Sequence, residues 1–158
     1  MNSTKTKNIE LINKKYGRNY QNHFIEQYKI FVESSERITE KRMNTNKFYL
    51  ALNSLLFGLA TYISFDKNIV TIILSGIGIL ISFIWKESIS SYKELNSAKF
   101  KVILDMEKYL PACPFKKEDE HLKGYYKITK LEKFVPIIFI ILYIILIIVS
   151  IIFLIVKI

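Results

Sequence analysis

The sequence predicts an all-α membrane protein with three transmembrane helices, the first two forming a long antiparallel hairpin that extends into the cytoplasm. Three observations carry that prediction. The stretches 48–65, 69–85 and 134–156 hold 58 residues without a single charge, so all 37 charges of the 158-residue chain fall in the other 100 positions. Within those stretches 13 of 18, 12 of 17 and 21 of 23 residues are apolar, far from the even mixing of a soluble domain. Only eight residues are Gly or Pro, and two runs of about forty residues are almost free of them. A secreted or cytosolic globular enzyme is excluded on these grounds.

Residues 1–19 are polar and form an N-terminal arm. No small-residue cleavage pattern follows the first apolar run, so a signal peptide is not expected and the N-terminus is retained. From Asn19 to Phe65 there is no Pro and one Gly, which lets a cytoplasmic helix over 20–47 run directly into a first span over 48–65. Asp66-Lys67-Asn68 makes an external turn. A second span over 69–85 continues as a cytoplasmic helix over 86–110, until Pro111 ends it. Each span is long enough for a hydrocarbon core of about 30 Å, which takes roughly 17–25 helical residues. Tyr49, Phe65 and Trp85 stand at span ends, where aromatic rings anchor at the interface.

Residues 111–133 connect to the third span, 134–156, which is nearly all Ile, Leu, Val and Phe. In this connector Pro111-Ala112-Cys113-Pro114 reads as a turn, and Lys116 to Glu120 as the solvated start of a short helix. Tyr125 and Tyr126 among Lys123, Lys127 and Lys130 suggest a piece lying on the membrane surface. Thr129-x-x-Glu132 has capping-box spacing ahead of the last run, where Pro136 is tolerated. Lys and Arg concentrate in 1–47 (ten) and 86–133 (eleven), against one in the turn and Lys157 in the tail. The positive-inside rule then places the N-terminus in the cytoplasm and the C-terminus outside. The net charge of +9 is mainly a topology signal, with attraction to anionic lipid as a second effect. Its Lys residues alternate with acids and form no patch, so no nucleic-acid partner is expected.

Stepping by four and three from Thr71 gives Ser75, Gly78, Ser82, Trp85, Ile89, Tyr92, Asn96, Lys99, Ile103, Met106 and Leu110, a heptad seam along the second helix. A matching seam on the first reads Phe24, Tyr28, Phe31, Ser35, Ile38, Arg42, Thr45, Tyr49, Leu52, Leu56, Leu59 and Ile63. Folding the chain about residue 67 sets Leu52, Leu56, Leu59 and Ile63 opposite Ser82, Gly78, Ser75 and Thr71, large against small. In water the same fold sets Tyr28 opposite Met106. Lys99 needs an acid in this register, and Glu36 is nearest. The third span, with nothing but Ser150 to pack closely, is expected to be a lipid-facing outer layer.

Chemistry is sparse. His23 and His121 lie far apart, a single Cys113 excludes a structural zinc site or an internal disulfide, and no phosphate-binding glycine loop exists. Glu118 to Glu120 reads as a solvated face, and Asp105 and Glu107 have Lys101 and Lys108 within helical reach. No catalytic residue, metal or cofactor is expected, and the protein is read as no enzyme. The polar groups inside the spans are the candidates: Asn53, Ser54, Gly58 and Thr61 on the first, Thr71, Ser75, Gly78 and Ser82 on the second. They serve either helix packing or the lining of a water or ion path in an oligomer. Asn53 is the costliest, because its amide needs a partner in lipid. No charged residue lies at membrane depth, so proton relay and voltage sensing have no carrier.

The residues Trp85, Ser91, Tyr92, Leu95, Asn96, Lys99, Phe100, Glu107, Leu110 and Pro111, followed by Glu132 and Pro136, resemble the RipA-family octameric membrane proteins of bacteria. The resemblance spans roughly residues 40–145, with Ser-Tyr-x2-Leu-Asn-x-Ala-Lys-Phe its most specific part. It implies an inner-membrane homo-octamer with a cytoplasmic helical portion and no transferable active site. The expected function is a non-enzymatic scaffold or channel-like assembly, partnered by itself, by lipid and by an unidentified cytoplasmic protein. The rival is a pore-forming effector of a bacterial stress or anti-phage response.

Overall fold

The structure is a computed structural model and describes residues 16–63, 68–121 and 128–156. Four helices follow in order: α1 (Tyr20–Ile63), α2 (Asn68–Glu107), α3 (Pro114–His121) and α4 (Ile128–Val156). The turn residues Asp66 and Lys67, most of the polar arm, the tyrosine-lysine piece of the connector and Lys157 lie outside the described residues.

Helices α1 and α2 are single rods of 44 and 40 residues, about 66 and 60 Å at 1.5 Å rise. Neither contains Pro, so nothing interrupts the backbone ladder where the apolar stretch gives way to the polar one. They run antiparallel, with Tyr28 bonded to Glu107, Ser35 to Asn96, Asn53 to Ser82 and Thr71 to the carbonyl of Ala60. These pairs centre close to residue 67, the fold point the seams imply. Helix α2 stops at Glu107, short of Leu110. The amides of Tyr109 and Leu110 close tight turns on the carbonyls of Met106 and Glu107, ahead of Pro111.

Along the α2 seam Thr71, Ser75, Gly78, Ser82, Trp85, Ile89, Ile103 and Met106 are buried, while Tyr92, Asn96, Lys99 and Leu110 are half-buried. The α1 seam is buried as stepped only in its polar half, at Phe24, Ser35 and Ile38. In the apolar half the residues against α2 are Asn53 and Ala60, and Leu59 is exposed. The large-against-small pairing is thus overturned, and small meets small. A straight α-helix drifts about 20° per heptad from a strict 3.5-residue repeat, so four heptads after Phe24 the contact line has moved by nearly one residue.

Helix α4 is not merely an outer layer. It packs along α2 through Pro136, Tyr143 and Ser150, spaced by seven and each buried. Its other faces expose Ile138, Ile141, Ile145, Ile148 and Ile152. Helix α4 begins at Ile128, ahead of Thr129, and Glu132 pairs with Arg42 of α1 in place of closing a capping box. Among the described residues two helices, α2 and α4, are long and apolar enough to cross a membrane.

Candidate functional site

Three polar residues of the apolar helices, Asn53, Ser82 and Tyr143, meet at one point. Asn53 is fully buried, and its amide nitrogen donates to the carbonyl of Tyr49 one turn back at 2.9 Å. Its amide oxygen accepts from the hydroxyl of Ser82 on α2 at 2.8 Å, and its backbone carbonyl accepts from the hydroxyl of Tyr143 on α4 at 3.0 Å. One residue therefore ties three helices together. In an apolar medium an unmet amide costs several kcal/mol, so a satisfied Asn both removes a penalty and fixes the register of its neighbours. Tyr143 reaches Asn53 because Gly78 leaves room. A Cβ at 78 would lie 2.5 Å from both Cε atoms of the Tyr143 ring.

An aromatic column continues from the node toward the polar half. Phe57 packs edge-on to Tyr143 at 5.6 Å, Phe139 lies 6.4 Å from Tyr143, Trp85 lies 6.2 Å from Phe139, and Tyr49 stacks on Trp85 at 6.0 Å. The indole N–H of Trp85 donates to the side chain of Asn46 at 2.9 Å, which satisfies its polar edge while the ring stays buried. Above it a polar ladder links α1 and α2. Tyr92 accepts weakly from Thr45 at 3.4 Å, Asn96 accepts from Ser35 at 2.7 Å, and Lys99 donates to Ser34 at 2.7 Å with its ammonium 4.8 Å from the centre of the Phe31 ring. Glu36 is exposed and Lys99 turns to Ser34 and Phe31 instead, a correction to the expected ion pair. Arg42 and Glu132, at 3.6 Å, join α1 to α4 at the same level with less than a fifth of either side chain exposed.

At the far end Glu107 is buried. Its carboxylate accepts from the hydroxyl of Tyr28 at 3.2 Å and from the amides of Phe115 and Lys116 at 3.0 Å. With Pro114 opening α3, these are the second and third amides of that helix, so Glu107 caps α3 from the end of α2. The lysine partners expected for Glu107 are not used. Asp105 takes Lys108 at 2.6 Å on the surface, and the bond and charge of that carboxylate raise the Lys108 ammonium above its ordinary range. Burial, then the charge and hydrogen bond of Glu107, push the Tyr28 phenol up to about 12. The thiol of Cys113 rests against the carbonyl of Glu107 at 3.4 Å.

The pattern is a set of interhelical bonds running from the apolar end to the polar end of one hairpin, with no described cluster of His, Cys, Asp and Glu able to hold a metal. The family model described as the octameric membrane protein family (8xMP) matches residues 25–152. The chain belongs to the octameric membrane protein family. The match covers α1 from its second turn, α2, α3 and most of α4, and so takes in every residue of the polar ladder. No curated protein and no solved structure matches the chain.

Within this member of the octameric membrane protein family the sequence candidates divide into two groups. Asn53, Thr71, Ser75, Gly78 and Ser82 are buried between helices of one chain. The hydroxyls of Ser75 and Ser150 are covered yet have no hydrogen-bond partner among the described residues. Ser54 and Gly58 are exposed and Thr61 is half-exposed, its hydroxyl turned back to the carbonyls of Phe57 and Gly58. Of the resemblance residues, Trp85, Tyr92, Asn96, Lys99, Glu107, Glu132 and Pro136 join helices or lie between them, whereas Ser91, Leu95 and Pro111 are exposed. Phe100 packs edge-on to Phe115 at 6.0 Å, and Leu110 is half-buried. An open groove of about 480 Å³ runs beside that ring pair, with Arg42, Lys93 and Lys101 facing Glu118 and Asp119, a mixture that favours neither sign of ligand.

Tyr143 and Asn46 were not singled out in the sequence. The signal for Tyr143 is that it carries the one hydroxylated ring in 134–156, seven residues from both Pro136 and Ser150.

Proposed function

We propose that the chain is the protomer of a non-enzymatic homo-oligomeric scaffold in the bacterial inner membrane. In this reading it crosses three times, by the apolar ends of α1 and α2 and by α4. The N-terminus and the polar halves of α1 and α2 then lie in the cytoplasm, and the C-terminus lies outside. The observation that carries the reading is the Asn53–Ser82–Tyr143 node, a three-helix polar contact set in apolar sequence. Such contacts rigidify a membrane bundle, and rigid bundles suit assembly. The cytoplasmic hairpin, held in register by Ser35–Asn96 and capped at Glu107, then presents a fixed surface to neighbouring copies and to a cytoplasmic partner.

A channel-like role is the second form of the same assembly, and among the described residues Ser54, exposed on α1, is a polar residue placed to line a path. Thr71, Ser75, Gly78 and Ser82 are buried within the protomer, and in this reading they serve helix packing. Purified protein in liposomes separates the forms. A scaffold gives no ion flux above empty vesicles, whereas flux abolished by Ser54→Leu refutes the scaffold in favour of a conducting or membrane-opening assembly.

A further inference from the structure

Inside the apolar helices a glycine is a missing side chain, and three of them meet different fates. The space at Gly78 is taken by Tyr143. At Gly58 on α1 and Gly76 on α2 an added Cβ would meet nothing within 4 Å. Glycine is the least favourable helix residue after proline, so a notch left empty within the chain weakens the helix with no packing return. Both notches lie between the Asn53–Ser82 bond and the Thr71–Ala60 bond, which puts them at one depth on adjacent helices. Each is set among large exposed side chains, Leu55, Leu59 and Tyr62 around Gly58, and Ile73, Ile77 and Leu80 around Gly76. The exposed residues of α4 between Phe134 and Val156 are all large and offer no notch.

A closed ring of identical chains joins two different surfaces head to tail, and a ring whose axis is the membrane normal keeps every copy at the same depth. The outer faces of α1 and α2 meet both demands, and membership of the octameric family supplies the partner, a second copy. We propose that the α1 face around Gly58 of one copy packs against the α2 face around Gly76 of the next, each glycine receiving a large side chain of its neighbour. In apolar surroundings small residues let helices approach closely, which is the main source of attraction there. Helix α4 then stays on the lipid side of the ring. This inference rests on the homo-oligomeric reading above.

Two differently tagged chains, both carrying Cys113→Ala, test it by disulfide trapping in membranes. One carries Leu55→Cys and the other Leu80→Cys, exposed positions that leave the glycines intact. Oxidation is expected to give a covalent dimer holding both tags, while Ile145→Cys paired with Leu80→Cys gives none. In parallel, Gly58→Leu is expected to lose most of the octamer in mass photometry while helicity by circular dichroism is kept. An oligomer of eight that never crosslinks 55 to 80, or that crosslinks 145 to 80 equally well, overturns the interface and leaves the oligomer standing. Wild-type protein that runs as a monomer overturns the homo-oligomeric reading itself, and the interface with it.

Discussion

Replacing Gly78 by Ala adds one methyl group at the point where α4 leans on α2. The new Cβ stands 2.5 Å from Tyr143 Cε1 and Cε2, at least 1 Å inside carbon–carbon contact. The ring has no free direction, because Phe57 and Phe139 flank it and its hydroxyl is bonded to the carbonyl of Asn53 at 3.0 Å. Retreat by about 1 Å stretches that bond beyond use. Overpacking of this kind costs ~1–3 kcal/mol. Loss of an interhelical hydrogen bond adds about 0.6 kcal/mol, with 1.7 as the upper end. Against this, Ala in a helix is better than Gly by about 1 kcal/mol. The clash outweighs the propensity gain, and a net destabilisation of about 1–3 kcal/mol is expected. Gly58→Ala and Gly76→Ala have the same propensity gain and no clash, so the protomer should be stabilised by up to about 1 kcal/mol. Unfolding followed by circular dichroism, in a detergent that separates the copies, measures all three. Adding Tyr143→Leu to Gly78→Ala should recover part of the loss, since the ring is the obstacle. Equal stability of the three alanine variants would refute the placement of Tyr143 against Gly78.

Glu107→Gln turns one acceptor oxygen into a donor facing the α3 amides, and a destabilisation of ~1–2 kcal/mol is expected. Faster hydrogen exchange at Phe115 and Lys116, with the α2 amides unchanged, is the readout. Tyr28, held at about 12, should ionise well after an ordinary tyrosine in an ultraviolet titration, and Glu107→Gln should bring its midpoint down. The unfolded phenol loses its proton from about pH 10, so this contribution is full below that pH and is lost as pH rises toward 12. Breaking the Arg42–Glu132 pair by Glu132→Gln leaves a mostly covered guanidinium beside a neutral amide, at a cost of about 2 kcal/mol in thermal unfolding. The swapped pair, Arg42→Glu with Glu132→Arg, should recover part of it, and no recovery would mean that α1 and α4 do not meet there.

The all-helical class and the identity of the apolar segments were legible because both follow from local counts. A charge-free run of 17 or more residues, bounded by Lys and Arg, has few outcomes other than a long apolar helix. The second seam was legible too, and every residue of it from Thr71 to Ile89 is buried. Asn53 was recognisable as a group in need of a partner, since an amide in apolar sequence always is one. Its partners were not recognisable. Ser82 could be placed by folding the hairpin, but Tyr143 belongs to a helix 90 residues away whose approach no periodicity fixes.

The sequence by itself determined which segments are helical and that α1 and α2 fold back on one another about residue 67. Tertiary structure alone decided which face of α1 meets α2, because helical drift over four heptads is a cumulative angle that strict stepping ignores. It also decided that α4 docks on α2, that Glu107 caps a different helix, and that of three helical glycines only Gly78 is filled. Each of these depends on a side chain distant in sequence arriving at a given spot. Apolar pattern selects the helices, and packing selects which of their small residues are filled.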